Sequence, residues 1–299
     1  NNISEFAPQL ELLYNNSINM ISHNAYIYKR DEEDQDELET RINPYYGMPI
    51  PAYKSGYSLF SSSHLPERIT VFGIGKRTQD IYNADVLDAL LSKTVITRTF
   101  EEVTGKNIKR PHQVPLLFSP EEKEVYSLAM EHFYTMRNNY FQTTGNTRKD
   151  SAMKLIQQIM LLLRISAAPD SVSEYQGETP VKIMTALEMV AQWPDEMVAI
   201  GVRHKVVLDS YVKAFQTYLP DRPLFVVTGS TTSFAKRRAL RDKLRNSRNG
   251  VLLCTQQSLP SSVNFEFVNK VLIPELHYNN SGMSQFYMRF IRYTSKDFK

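Results

Sequence analysis

Three residues near the end of the 299-residue chain carry the most specific chemistry. Gln285, Arg289 and Arg292 fall at i, i+4 and i+7 within QFYMRFIR, a spacing that puts one amide and two guanidiniums on a single helical face. Guanidinium suits a phosphate because its planar fork binds two oxygens at once and does not lose its charge near neutrality. Phe286, Met288, Phe290 and Ile291 are expected to anchor the rest of that helix in apolar surroundings. Taken alone, the spacing favours an ordinary helix with two solvated arginines. A second set of candidates follows from strand ends. Arg203 with His204, Thr228 with Gly229, Thr255 through Ser258, and Glu275 through His277 each follow a short apolar run. Hydroxyls and cations there could grip a phosphate backbone. The helix-like KRRALRDKLRNSR lines up Arg237, Arg241, Arg245 and Arg248 with Leu240 and Leu244 facing inward. A solvated face and a DNA-backbone contact explain this stripe equally well.

The elements that must position these groups are legible from periodicity. MVAIGV, LFVVT, VLLCT and KVLI read as short buried strands, and KVVLDSYVKAFQTYL, SFAKRRALRDKLRN and MSQFYMRFIRY read as the helices among them. Strands alternating with helices imply an α/β fold with a parallel sheet covered on both faces, and such sheets bind ligands beyond the carboxyl ends of their strands. Upstream, Ser119-Pro120-Glu121-Glu122 forms a helix start with a capping box. SAMKLIQQIMLLLRI reads as a second, more buried helix, stopped by Ala168-Pro169, and DSVSEYQGETP reads as a linker. DVLDALLSK gives a short helix, and Phe6, Leu10 and Leu13 an apolar helical pattern at the start. Between them, INPYYGMPIPAYKSGYSLFSSSHLP is expected to be an irregular arm. Three parts follow: an irregular and helical arm over 1–110, a helical extension over 111–169, and the α/β lobe over 170–299.

Composition narrows the class. The single cysteine, Cys254, excludes an internal disulfide and a cysteine-based zinc site, and fits a reducing, cytoplasmic setting. His112, His132 and His204 show no metal-ligand spacing. No run of 18 apolar residues is present, and the opening NNISEFAPQLELLYNN has no signal-peptide pattern. The net charge of +3 conceals an asymmetry: DEEDQDELE holds seven acids, and the other 25 acidic residues against 35 basic ones leave +10. That balance suits an anionic partner. The acidic run itself reads as a solvated loop, and Trp193 beside Pro194 as a packing residue.

The order of these pieces resembles the Swi/Snf branch of superfamily-two helicases over roughly residues 85–299. Gln285-x3-Arg289-x2-Arg292 looks like motif six. ITRTFEEV resembles the family's lead-in segment, VPLLFSPEEKEVY its strand and following helix start, and LLLRISAAP its helix stop. MVAIGVRHKVVLD looks like motif four, VVTGSTTSFAKRRALRDKL like the stretch carrying a family arginine at Arg237, and VLLCTQQSLPSSVNF like motif five. VLIPELHYN resembles the strand and Trp-Asn-Pro element before motif six. The chain departs from the pattern at Leu259-Pro260-Ser261-Ser262, where glycines are usual, around His277 and Tyr278, and after Arg292. These departures suggest a divergent bacterial or phage branch.

The resemblance implies a RecA-like second motor lobe of an ATP-driven translocase on double-stranded DNA, bound without sequence preference. Arg289 and Arg292 would act as arginine fingers toward ATP, with Gln285 helping to position the reacting group. Arg203, His204, Thr228, Gly229, Arg237, Arg241, Thr255, Ser258 and Asn264 would face the DNA. No Gly-x4-Gly-Lys-Ser/Thr phosphate loop is found, since FGIGKRT has only the Gly-Lys pair and reads as a turn. DEED at Asp31–Asp34 follows no apolar strand and makes a poor metal-binding motif. ATP and Mg²⁺ would therefore be held by a first motor lobe, and the chain by itself is expected not to hydrolyse ATP. The competing class is a non-enzymatic lobe derived from a helicase that binds nucleic acid or protein.

Overall fold

The computed structural model describes residues 3–14, 21–30, 36–48, 56–70, 73–76, 81–107, 111–229, 233–259, 263–276 and 280–291. Two compact units divide at Arg98 and Thr99, so the helical extension belongs to the same unit as the sheet rather than standing as a third part.

The first unit runs through a 3-10 turn Ile3–Phe6, α1 (Ala7–Tyr14), β1 (Asn24–Arg30), β2 (Asp36–Ile42), α2 (Gly56–His64), β3 (Glu67–Thr70), β4 (Gly73–Lys76) and α3 (Ala84–Thr94). Its strands form two antiparallel hairpins, β1 with β2 and β3 with β4. Ala7, Leu10, Ile21, Leu59, Phe60, Leu65, Leu87 and Leu90 make its core, and Leu13 stays exposed. Three expectations are corrected here. The later part of the acidic run is strand β2, while residues 31–35 lie outside the described residues. Gly73–Lys76 of FGIGKRT pairs with Glu67–Thr70 as a strand. The Ser- and Tyr-rich arm contains a real helix, α2, and Ser63 on it finds partners inside. Ser63 Oγ accepts from Ser22 N–H and from the Asn43 amide, each at 3.3 Å. That pairing lets a buried serine sit in the core, while Ser61 Oγ and His64 Nε2 are buried without a partner.

The second unit begins with α4 (Phe100–Thr104) and the long antiparallel pair α5 (Pro120–Gln142) and α6 (Gly145–Ala167). Ser119 caps α5 with a complete capping box to Glu122, as its sequence predicts. Residues 111–118 lie in no helix or strand, against the expected strand, and Leu117 is 89% exposed. A 3-10 turn Pro169–Ser171 leads through an irregular linker to α7 (Val181–Ala191), β5 (Val198–Val202), α8 (Lys205–Tyr218), β6 (Leu224–Val227), α9 (Phe234–Asn246), β7 (Val251–Thr255), a 3-10 turn Gln256–Ser258, β8 (Lys270–Leu272) and α10 (Asn280–Tyr287).

The four strands β5–β8 stand where the apolar runs put them. They form one parallel sheet in the order β6-β7-β5-β8. Alternation along β5 assigns the two faces. Val198, Ile200 and Val202 pack with Ile183, Leu187, Val207, Leu208, Tyr211 and Phe215 of α7 and α8. Ala199 packs on the other side with Leu244 of α9, Phe286 of α10 and the aromatic pair Phe265 and Phe290. Burying each such side chain stabilises the lobe by about 1.5–3 kcal/mol. The result is the α/β lobe expected from the alternation, with a parallel sheet and helices on both faces. Among the described residues no helix is long and apolar enough to cross a membrane.

Candidate functional site

The carboxyl ends of the strands are tied to one another by two side chains, Gln256 and Glu275, that lie within the strand-end segments read from the sequence. Glu275, three residues past β8 and almost fully buried, accepts hydrogen bonds from Arg203 N–H at 2.6 Å and His204 N–H at 3.4 Å. Its other oxygen accepts from His204 Nδ1 at 2.8 Å. The carboxylate therefore sits at the amino end of α8, where the helix dipole favours negative charge. Gln256, the first residue beyond β7, donates its amide to Gly201 O at 3.1 Å and to Glu275 O at 2.6 Å. One side chain thus ties the ends of β7 and β5 to the segment after β8. Close by, Lys182 Nζ donates to Pro274 O at 3.4 Å. Burial lowers the Lys182 ammonium below the usual lysine range, against the pull of Glu275 and Glu122.

The strand-end hydroxyls are less available than expected. Thr255 Oγ1 and Ser258 Oγ are hydrogen-bonded to each other, and both residues are buried. Around Gly229 the space is open, and Thr228 beside it is partly buried. His204 is held by Glu275, leaving about a quarter of its side chain accessible.

Helix α9 departs from a plain basic stripe. Arg241 donates from Nε to Asn264 O at 2.6 Å, pairs with Glu266 at 3.0 Å and Asp242 at 3.2 Å, and keeps 19% side-chain exposure. It fastens α9 to the segment after β7 instead of facing outward, and Asn264 is drawn into the same contact. Arg248 lies beyond the end of α9 and pairs with Asp195. Lys236, Arg238 and Arg245 are exposed, and Arg237 is partly so.

At the chemistry-bearing end, α10 is shorter than the periodicity predicts. It stops at Tyr287, so Gln285 and Arg289 do not share a continuous helical face. The cause is packing. Arg289 and Phe290 N–H turn to Phe286 O and Tyr287 O at 3.1 and 3.0 Å, and the Arg289 carbonyl accepts from Phe265 N–H at 2.8 Å. Phe290 then enters the core beside Phe265 and Phe286. Those long-range contacts outweigh continued helix. Arg292, His277 and Tyr278 lie outside the described residues.

Even so, Gln285 and Arg289 come together. They line one cleft of about 90 Å³ with Gln256, Gln257, Leu259, Gly282 and Phe286. Gly201 makes this placement possible: a Cβ there would lie 2.2 Å from the Phe286 ring. The cleft thus joins the turn after β7 to the end of α10, and its polar lining is amide and guanidinium. Such a lining can hold an anion by donated hydrogen bonds. Among the described residues no group of three His, Cys, Asp or Glu could hold a metal.

The sequence matches no protein-family model and no curated protein. Among solved structures it is similar to the SWI2/SNF2 ATPase C-terminal domain of Sulfolobus solfataricus, with 18% identity over 52% of this chain and 67% of that one, TM-score 0.42. It is similar to the SWI2/SNF2 ATPase core of the same organism, with 17% identity over 69% of this chain and 42% of that one, TM-score 0.48. The same core in complex with double-stranded DNA matches with 18% identity over 83% of this chain and 51% of that one, TM-score 0.48. The chain spans about half or less of those two core structures.

Proposed function

We propose that this chain carries the second motor lobe of a Swi/Snf-type DNA-dependent ATPase, and that it supplies arginine to ATP held by a first motor lobe. One observation carries the reading: Gln285 and Arg289, the motif-six residues described, line the same cleft as Gln256 and Gln257 of motif five. Two segments that resemble the family's separate motifs therefore converge on one anion-suited surface at the carboxyl edge of the sheet.

In this reading the Arg289 guanidinium, together with Arg292, meets negative charge developing on the transferred phosphoryl group. Such a finger is worth about 4–7 kcal/mol of barrier, from a rate factor of roughly 10³–10⁵. Gln285 helps to position the reacting group through its amide. Phosphate-loop and Mg²⁺ ligands belong to the first lobe, so this chain alone hydrolyses no ATP. The open space at Gly229 and the exposed cations Lys236, Arg238 and Arg245 receive the backbone of duplex DNA without reading its bases.

The test is steady-state ATP hydrolysis, with and without duplex DNA, by a polypeptide that includes both lobes. Arg289→Ala is expected to lower kcat by about 10³ while leaving KM and DNA affinity near the parent values. Arg289→Lys is expected to rescue poorly, because a point charge does not reproduce the fork. DNA-stimulated turnover within threefold of the parent in Arg289→Ala overturns the assignment. DNA binding with no turnover in the parent would instead favour a non-enzymatic binding lobe.

A further inference from the structure

The end of the α5–α6 pair where the chain turns from one helix to the other concentrates cations and aromatic rings. From residue 132 to residue 149 the sequence holds Arg137, Arg148 and Lys149 and no Asp or Glu. Tyr134, Arg137 and Phe141 recur at i, i+3 and i+7 along α5, which sets them on one helical face. Tyr134 is 53% exposed and Phe141 62%, although rings of that size are ordinarily drawn into a core. Arg137 lies over the Phe141 ring at 5.3 Å, and Arg148 of α6 lies over the Tyr140 ring at 4.9 Å. Among the described residues neither guanidinium pairs with a carboxylate, and Lys149 is exposed beside them. Both arginines are therefore oriented by rings, and their charge is left uncompensated.

We propose that this end of the helix pair binds an unpaired strand of DNA, with bases stacked on Tyr134 and Phe141 and phosphates held by Arg137, Arg148 and Lys149. The rings select a single strand. In a duplex the base faces are stacked on one another, and only phosphates and groove edges reach a protein. An unpaired strand offers the faces themselves, which stack on an exposed aromatic ring whatever the base. Tyr134 and Phe141 are about 10 Å apart along the helix axis, so each holds its own base. Arg137 covers one face of Phe141 and leaves the other open. A guanidinium set over a ring keeps its N–H groups in its own plane, where a phosphate can take two of them. An apolar partner would bury the three cations without counter-charge, at a cost that a phosphate strand does not incur. The choice of DNA over RNA follows the duplex reading above, since neither stacking nor phosphate contact consults the 2′-hydroxyl; the site itself stands without the motor.

Binding of this kind needs neither ATP nor a first lobe, so the 299-residue chain serves for the test. The measurement is fluorescence anisotropy with a labelled oligothymidylate of about 20 nucleotides, longer than the roughly 4–16 that one single-strand site covers. Tyr134→Ala and Phe141→Ala are each expected to weaken binding by about 10-fold. Affinity for a blunt duplex of the same length should stay within about twofold, because a duplex bares no base face. Arg137→Ala, Arg148→Ala and Lys149→Ala should each flatten the log–log salt dependence by about 0.7, the increment for a single strand. Irradiating a complex in which iodouracil replaces thymine should join the strand to Tyr134 or Phe141, as read by mass spectrometry. Parent affinity in the Tyr134→Ala, Phe141→Ala double variant, or equal losses for single strand and duplex, would overturn the proposal. So would oligouridylate bound about 10-fold more tightly than oligothymidylate, the scale of one good contact to its 2′-hydroxyls, or cross-links confined to other residues. Both rings are exposed, so their removal leaves the fold in place; should Arg148→Ala unfold the pair by baring Tyr140, the ring variants and the cross-link decide. Ring-dependent single-strand binding, in a chain whose two-lobe form has no ATPase activity, would refute the motor and leave this site standing. DNA-stimulated turnover, with single-strand binding unchanged in the ring variants, would do the reverse.

Discussion

Glu275 reaches across the end of the sheet to accept a 2.6 Å hydrogen bond from the backbone N–H of Arg203, a residue 72 positions earlier in the chain. Its second oxygen takes the ring N–H of His204, so both the strand end and the start of α8 depend on a carboxylate that follows β8. Removing it leaves buried donors without an acceptor. Glu275→Ala is expected to destabilise the lobe by about 3 kcal/mol. Urea unfolding should show a lower midpoint with an unchanged slope. A loss under 1 kcal/mol would mean water replaces the carboxylate at little cost.

Gly201→Ala tests how α10 is seated. The added methyl meets the Phe286 ring, and overpacking of this kind costs about 1–3 kcal/mol. The displaced helix carries Gln285 and leads into Arg289. Reduced stability should therefore come with reduced turnover in the two-lobe protein, and an alanine variant with the parent's melting curve contradicts the packing described.

Cys254 is the chain's one cysteine. It is fully buried in β7, and burial pushes its thiol well above the usual range. A disulfide reagent is expected to label native protein only as fast as the sheet opens, and to label it at once in denaturant. Rapid stoichiometric labelling without denaturant would contradict the β7 placement.

For DNA, the residues to change are Lys236 and Arg238, which are exposed, rather than Arg241, which is occupied by Glu266 and Asn264. Replacing the first two with Ala should flatten the log–log salt dependence by about 0.9 for each phosphate no longer neutralised. Arg241→Ala should instead lower the unfolding midpoint and leave that slope unchanged. Fluorescence anisotropy titrations at several salt concentrations decide between them.

A pH effect is expected in the first unit. His64 is fully buried, with Nδ1–H donating to Tyr82 O at 2.9 Å and Nε2 without a partner. Burial holds its pKa below 6.5, against smaller opposing contributions from Tyr82 and Asp85. Above about 6.5 neither state is protonated there, and the contribution is fully present. As pH falls through that value toward the folded pKa, the unfolded chain binds a proton first, and stability declines. The urea midpoint should drop with acidification more steeply in the parent than in His64→Gln; parallel curves would exclude His64 as the source.

What could be read in the chain was what depends on near neighbours. The strands β5 to β8 are apolar runs bounded by charge, Gly or Pro. The Ser119–Glu122 cap spans a single turn. Contacts between distant segments were silent. Arg241 looks solvated on a helical wheel until Glu266, 25 residues on, is brought beneath it. The early end of α10 follows from Phe265 recruiting the Arg289 carbonyl, which no periodicity encodes. Helix α2 was hidden because Ser63 and His64 read as loop until Asn43, Ser22 and Tyr82 are seen to answer them. For the same reason the strand-end positions of Gln256 and Glu275 were legible, whereas their hydrogen bonds to Gly201, Arg203 and His204 were not.

Glu122 also serves a helix other than its own. One oxygen closes the α5 cap at Ser119 N–H, and the other accepts from Val181 N–H, at the start of α7, at 2.8 Å. Two helix origins share one carboxylate at the foot of the α5–α6 pair. Each of those helices has 23 residues, which makes an arm about 35 Å long. An arm of that length is a lever. Tilting its foot by about 5° relative to the sheet carries the far turn, near Gly145, through about 3 Å by the same helix geometry. Strain too small to register in the cleft would be plainly visible at the tip, and a fluorophore there would read angular motion as distance.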